Sequence, residues 1–350
     1  MRIFTCKQCG QLVYFENIYC ENCNHSLGFD IETMDICTLV PTENGQFALV
    51  NQPELSYRYC SNYEHKVCNW LVPAHSVEKL CAACELNDTI PNLVNTTYLE
   101  QWRLLEYAKH RLIYSLVKLH LPFPNKKQEP VTGLAFNFLA AENRNEKVLT
   151  GHENGLITIN IAEADDVVRE QSRKNMNEPY RTLLGHFRHE IGHYYWDKLI
   201  ANTAYLHTFR QLFGNEELDY TQALETYYQQ GPPASWPNHI SAYASSHPWE
   251  DWAETWAHYL HTMDTLETAY AFGLHIMPGI ANPSLNVAAN MNIDPYQLQN
   301  FEDIISRWLP FTYAMNSINR SMGQKDLYPF VMSEVVMKKL AFIHQVCQGR

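Results

Sequence analysis

His189-Glu190-Ile191-Gly192-His193 is the stretch on which the reading of this chain turns. Two histidines four residues apart lie on one face of an α-helix, where both imidazoles reach one Zn²⁺. The glutamate between them is placed to act as general base on a zinc-bound water. Around this core, Tyr180 to Ile200 contains no proline. Leu183, Leu184, Phe187, Ile191, Tyr194 and Tyr195 recur near a 3.6 period, which predicts a helix. Gly192 inside that helix costs about 1 kcal/mol against alanine. Its use there implies that another backbone comes close beside the metal.

A catalytic zinc needs three protein ligands and one position left for water. Ser241 to His261, SAYASSHPWEDWAETWAHYLH, is the best source of the third. After Pro248 this segment reads as a helix, with Glu250, Glu254 and His258 on one face at i, i+4 and i+8. Carboxylates among Trp252, Ala253, Trp256 and Ala257 are costly to bury unless bound or paired. Glu250 is taken as the ligand and Glu254 as the partner of a ligating histidine; the exchange of these two roles is the rival assignment. His258 and His247 are further alternatives, because three-histidine sites also exist. His186 is expected on a neighbouring face of its helix.

The cysteines mark a different region. Cys6-x2-Cys9 followed by Cys20-x2-Cys23 has the form of two knuckles whose four thiolates close one tetrahedral zinc site, with Gly10 suited to the knuckle turn. A second quartet is Cys60, Cys68, Cys81 and Cys84, in which only the last pair is a CxxC and His65 is a rival ligand. Both would be structural zinc sites. Cys37 and Cys347 stand apart and read as buried apolar thiols. Residues 1–90 therefore look like a tandem zinc-ribbon region, since small units without a large core need such staples.

The remainder, 98–350, is expected to form the metallopeptidase domain, joined through a linker at Asn87 to Thr97. Tyr98 to His120 is long and amphipathic and reads as a helix packed on that domain. Leu156 to Ile161, LITINI, alternates and reads as a strand. The GHENG before it is a turn, and the strand could be the edge that pairs with an extended peptide. Helices are predicted at Glu163 to Lys174, Trp249 to Thr262, Pro295 to Trp308 and Tyr328 to Val346, with a loop at Gly231-Pro232-Pro233.

Composition narrows the function. Hydrophobic residues at 46% and aromatics at 13% are those of a globular chain. A net charge of −12 argues against general phosphate-backbone binding. No signal peptide or run of about 18 apolar residues is seen, so a cytoplasmic protein is expected, with no membrane partner and with thiols that serve metal rather than disulfides.

Tyr243 lies seven residues before Glu250, in the arrangement Tyr-x6-Glu-Asp-x-Ala-Glu. This resembles the third-ligand segment of gluzincins of the anthrax lethal-factor and Pro-Pro endopeptidase type. The resemblance implies that Glu250 binds zinc, that Glu254 supports the site and that the Tyr243 hydroxyl stabilises the oxyanion. CKQCG, FENIYCENC, CNWLVP, LITINIAEADD, HFRHEIGHYYW, EDWAETWAHYLH and YPF make nearly the whole chain similar to a bacterial family of zinc-binding metallopeptidases with an N-terminal zinc ribbon. That similarity implies fold and reaction class, and no substrate.

The expected architecture is thus α+β: tandem zinc ribbons, then a mostly helical gluzincin-like domain with a small sheet. The expected cofactors are one catalytic and two structural zinc ions. The expected chemistry is peptide-bond hydrolysis with zinc on His189, His193 and Glu250, Glu190 as base and Tyr243 as oxyanion donor. The partners would be a peptide or protein substrate and a protein recruited by the ribbons. Two other readings stand beside it. A zinc-ribbon binding or regulatory protein with an inert HExxH domain would have no need of Glu190. A DNA-associated protease, similar to the Spartan type, would need basic residues that Met1 to Cys84 largely lacks.

Overall fold

The computed structural model describes residues 2–141, 148–175, 182–279 and 287–349. The chain forms two compact units, Arg2–Glu170 and Gln171–Arg350. Among the described residues no helix is long and apolar enough to cross a membrane.

In the first unit, β1 (Phe4–Thr5) and β2 (Leu12–Val13) form a short hairpin around the first knuckle. A five-stranded antiparallel sheet follows in sequential order: β3 (Ser26–Asp30), β4 (Asp35–Pro41), β5 (Phe47–Leu49), β6 (Gln52–Tyr59) and β7 (Leu71–Pro73). Cys37, Leu39, Leu49, Tyr57 and Leu71 make one buried cluster on it. Phe15, Phe29, Trp70 and Tyr114 pack ring against ring and join the first knuckle region, the sheet and helix α1. Helix α1 (Thr96–Lys118) starts at Asn95, whose side chain accepts the N–H groups of Thr97 and Tyr98. It belongs to this unit, where it buries Glu106, Lys109 and His110 along with Trp102, Leu105 and Leu112.

A second sheet in the same unit has the order β10-β11-β9-β8, built from β8 (Asn87–Thr89), β9 (Ala135–Leu139), β10 (Gly151–Glu153) and β11 (Leu156–Asn160). Two sequence expectations change here. The stretch read as a linker contains β8, which pairs with β9, and the cap of α1. The LITINI strand β11 is not an edge: β10 and β9 occupy both its sides, so it has no free ladder for a peptide. The GHENG turn is a two-residue hairpin with Asn154 at φ 50° and Gly155 at φ 83°, the backbone sign that Asn-Gly supplies at little cost.

Helix α2 (Asp166–Asn175) carries the division between the units. The second unit is helical: α3 (Leu183–Tyr195), α4 (Tyr205–Phe213), α5 (Tyr220–Gln230), α6 (Pro248–Ala271), α7 (Phe301–Ser321) and α8 (Glu334–Cys347), with β12 (His275–Ile276) paired to β13 (Ala289–Asn290). Tyr180 and Arg181, at the start of the expected motif helix, lie outside the described residues. Thr182 caps α3 by accepting the Gly185 N–H at 3.0 Å, and a π-helical turn, Trp196–Ile200, ends it. Tyr328 falls before α8 rather than inside a helix.

Helices α3 and α6 meet at Gly192. A Cβ there would stand 3.0 Å from Ala253 Cα and 3.2 Å from Trp256 Cβ. The Trp252 indole N–H donates to the Gly192 carbonyl at 2.8 Å, which closes the contact. Gly192→Ala should gain about 1 kcal/mol of helix propensity and lose about 1–3 kcal/mol to overpacking. We expect a lower melting temperature by circular dichroism. An alanine variant as stable as the parent would remove the close contact from this account.

His152 tests the second sheet. Its Nε2 accepts the Gly155 N–H at 3.0 Å, and burial, with help from Lys126, pushes its pKa down to about 4. A depressed folded pKa means stability that is present above the ordinary value of 6.5 and lost as pH falls towards 4. Amide exchange of the β10–β11 hairpin should therefore speed up on acidification across that window. His152→Gln should flatten the response.

Candidate active site and cysteine centres

His189 and His193 project from one face of α3, and Glu250 reaches them from the first turn of α6. The two Nε2 atoms lie 3.2 Å apart. Glu250 Oε2 is 3.0 Å from His189 Nε2, and Glu250 Oε1 is 3.6 Å from His193 Nε2. Nitrogen and oxygen donors around a tetrahedral zinc at about 2.0–2.1 Å are separated by roughly 3.3 Å. The three side chains therefore present a donor set of the right chemistry and spacing for zinc. All three are buried.

Glu254 settles the orientation of His189. Its Oε1 lies 2.8 Å from His189 Nδ1, and a carboxylate here can only accept, so Nδ1 carries the proton. Nε2 is thereby turned to His193 and Glu250. Ser241 donates to the other Glu254 oxygen at 2.7 Å and holds the carboxylate in place. The charges respond to each other. Burial disfavours an imidazolium at His189, but Glu250 and Glu254 outweigh it and hold the ring well above its ordinary range. Burial likewise works against the two carboxylates, yet the facing imidazoles hold both down to about 2.

Glu190 is buried on α3. The Tyr243 ring lies 6.1 Å from that of His189. Burial, reinforced by the Glu250 charge, pushes its hydroxyl pKa far up, so it stays a donor. Tyr220 is a residue that sequence reading missed. Its hydroxyl donates to Glu250 Oε1 at 2.6 Å from the first position of α5. Trp249 stacks on His193 with ring centroids 3.9 Å apart. Helix α5 buries none of its own residues; Asp219 caps its start and Gly231 at φ 77° ends it.

The other histidines are engaged elsewhere. His247 caps α6, its Nδ1 accepting the Trp249 N–H while Nε2 meets the Leu218 carbonyl at 3.1 Å. His258 Nδ1 lies 2.7 Å from the Tyr328 hydroxyl and its ring packs on Phe330. Burial pushes His258 down to about 4. Among the described residues, neither these nor His186 joins the His189, His193 and Glu250 group.

In the first unit all eight expected cysteines gather into two groups. Cys6 and Cys23 sulfurs are 3.6 Å apart, as are those of Cys9 and Cys20. Each knuckle closes in the same way, the Gly10 N–H donating to the Cys6 carbonyl and the Asn24 N–H to that of Cys20. Gly10 and Asn24 both have positive φ. Cys60, Cys68, Cys81 and Cys84 form the second group and are fully buried. His65 is not in it; its Nε2 meets Glu64 at 3.3 Å. The histidine that does stand beside it is His110 of α1, 3.8 Å from the Cys84 sulfur. Cys37 is buried in β4, where burial and Asp30 push its thiol up to about 12.

Comparison with known proteins gives a family for each part of the chain. Residues 3–95 match a zinc-ribbon domain family. The uncharacterized protein Rv2568c of Mycobacterium tuberculosis is 45% identical over 351 residues, which covers 99% of this chain and 95% of the relative. The uncharacterized protein Mb2598c of Mycobacterium bovis has the same identity and coverage. No solved structure matches. Residues 98–346 match the family described as "Putative zinc-binding metallo-peptidase", and the chain belongs to that family.

Proposed function

We propose that this chain is a zinc-dependent peptidase of the gluzincin type, with His189, His193 and Glu250 as the ligands of its catalytic ion. One observation carries the reading: Glu254 fixes the His189 proton on Nδ1, so that two imidazole nitrogens and one carboxylate converge at 3.0–3.6 Å. Bound there, zinc would supply Lewis acidity and an activated water. Glu190, one residue along the same helix, takes up the proton and delivers it to the leaving amine. Tyr243 donates its hydroxyl proton in a hydrogen bond to the developing oxyanion. Tyr220 holds Glu250 by its second oxygen, and Ser241 holds Glu254, so that neither carboxylate can rotate away. The cysteine groups would each hold structural zinc, in a compartment that keeps thiols reduced. The substrate would be a peptide or protein, with the ribbons available to a protein partner.

Glu190→Gln separates chemistry from binding. It should lower peptide hydrolysis by at least about 10²-fold while zinc content and circular dichroism stay those of the parent. Parental turnover in this variant would sink the general-base role.

The two α6 carboxylates and the two tyrosines are sorted by a chelator competition for the catalytic ion. Glu250→Ala should release it. Glu254→Ala and Tyr220→Phe should keep it with affinity or turnover reduced by about 10–100-fold. Tyr243→Phe should bind zinc normally and lose about 10²–10³ in turnover. Loss of the ion from Glu254→Ala with retention by Glu250→Ala would reverse the two roles.

A further inference from the structure

The second cysteine group has more donors around it than one zinc can use. His110 Nε2 lies 3.8 Å from the Cys84 sulfur and 4.0 Å from that of Cys81. Its Nδ1 lies 2.6 Å from the Glu106 carbonyl oxygen, so that nitrogen carries a proton and Nε2 faces the sulfurs. This is the arrangement in which proteins orient a metal-binding histidine. Glu106 sits one helical turn before His110 on α1. Lys109 and the Asn87 side-chain amide both donate to its Oε1, each at 2.8 Å. Its Oε2 lies 3.8 Å from the Cys84 sulfur and 3.5 Å from His110 Nδ1. Cys84, Glu106 and His110 thus form a buried trio whose donor atoms lie within 4.8 Å of one another.

Charge makes this arrangement informative. A zinc ion on four thiolates carries two net negative charges. The Glu106 and Lys109 charges cancel, so with a neutral His110 imidazole, the form that binds metal, the buried pocket stays negative by two. A carboxylate oxygen also faces a thiolate with no solvent between them, because Cys81, Cys84, Glu106, Lys109 and His110 are all buried. Buried charge of this kind needs a compensating cation. A second divalent ion on Cys84, Glu106 and His110, with the Cys81 sulfur 4.0 Å from His110 Nε2 as a fourth donor to close in, brings the pocket to neutrality.

We propose that this centre is binuclear: one zinc on Cys60, Cys68, Cys81 and Cys84, and a second on His110, Glu106 and the bridging thiolates of Cys81 and Cys84. Sulfur–nitrogen edges of a tetrahedral zinc site are roughly 3.6 Å, and the two His110 edges at 3.8 and 4.0 Å need only a small closure. Lys109 and Asn87 act as positioning residues, since they fix which Glu106 oxygen faces the metal. The inference does not depend on the peptidase reading.

The full chain tests it by native mass spectrometry, with the His193→Ala background used to remove the catalytic ion. That background should carry about three zinc ions, one in the first cysteine group and two in the second. Adding His110→Gln should remove about one, with circular dichroism unchanged. Cobalt loading of the His193→Ala chain gives a readout that needs no change at His110 or Glu106. A thiolate-bridged cobalt pair couples its spins, so the paramagnetic resonance signal per cobalt should fall below that of isolated tetrahedral sites. Glu106→Gln should restore it. About two zinc ions in the His193→Ala chain, or cobalt that is uncoupled throughout, overturns the proposal and leaves His110 as a hydrogen-bond donor to the thiolates.

Discussion

Gly192 sets the distance between the two helices that bring a carboxylate to a pair of imidazoles. With no side chain at this point, Ala253 and Trp256 of α6 lie against α3, and Trp252 ties the Gly192 carbonyl across the gap. The rest of the site follows from this one approach. Glu250 and Glu254 are one turn apart on α6, so a single placement of that helix delivers both. One meets the Nε2 side of His189 and the other its Nδ1 side. The glycine weakens α3 locally, and the packing it permits offsets that weakness through Trp252, Trp256, Tyr194 and Tyr195, all essentially without solvent exposure.

Helix α6 carries an unusual load of buried acid: Glu250, Asp251, Asp264 and Glu267, with Glu254 half-buried. Each would be costly alone. Lys339 of α8 bonds Asp251 at 2.6 Å, yet burial still pushes that aspartate up to about 7. Arg188 of α3 pairs with Asp264. These pairs fix the register of α3, α6 and α8, and removal of either partner would leave a buried charge uncompensated. Two kinds of carboxylate thus share α6: Glu250 and Glu254 face imidazoles, whereas Asp251 and Asp264 face cations.

Much of the site was legible because its signals are local. HExxH and the i, i+4 acids of α6 are spaced by helix geometry, and the knuckles by turn geometry, so short windows contain them. Tyr220 lies 30 residues from Glu250, and His110 lies 26 from Cys84. No periodicity announces either, because tertiary packing alone brings them in. The five-stranded sheet escaped for another reason. Strand β6, QPELSYRY, is exposed over its first four residues and shows little alternation, while β5 has only three residues. The domain division also reads differently in composition and in space. Cysteines stop at Cys84 until the C-terminus, but α1 and the second sheet stay with them up to Glu170. A helix judged by its apolar face alone gives no sign of which unit it serves.

Helix α5 meets the candidate site through the Tyr220 hydroxyl and through the Tyr227 ring, 5.9 Å from that of Tyr243, and buries none of its own residues. Apart from Tyr220 and Tyr227, its residues are only lightly held by the packing that fixes α3 and α6. Substitutions along its outer face leave the buried acids and imidazoles where they are. That outer face can vary by drift or by selection, one exposed side chain at a time, while the buried arrangement beneath it is inherited intact.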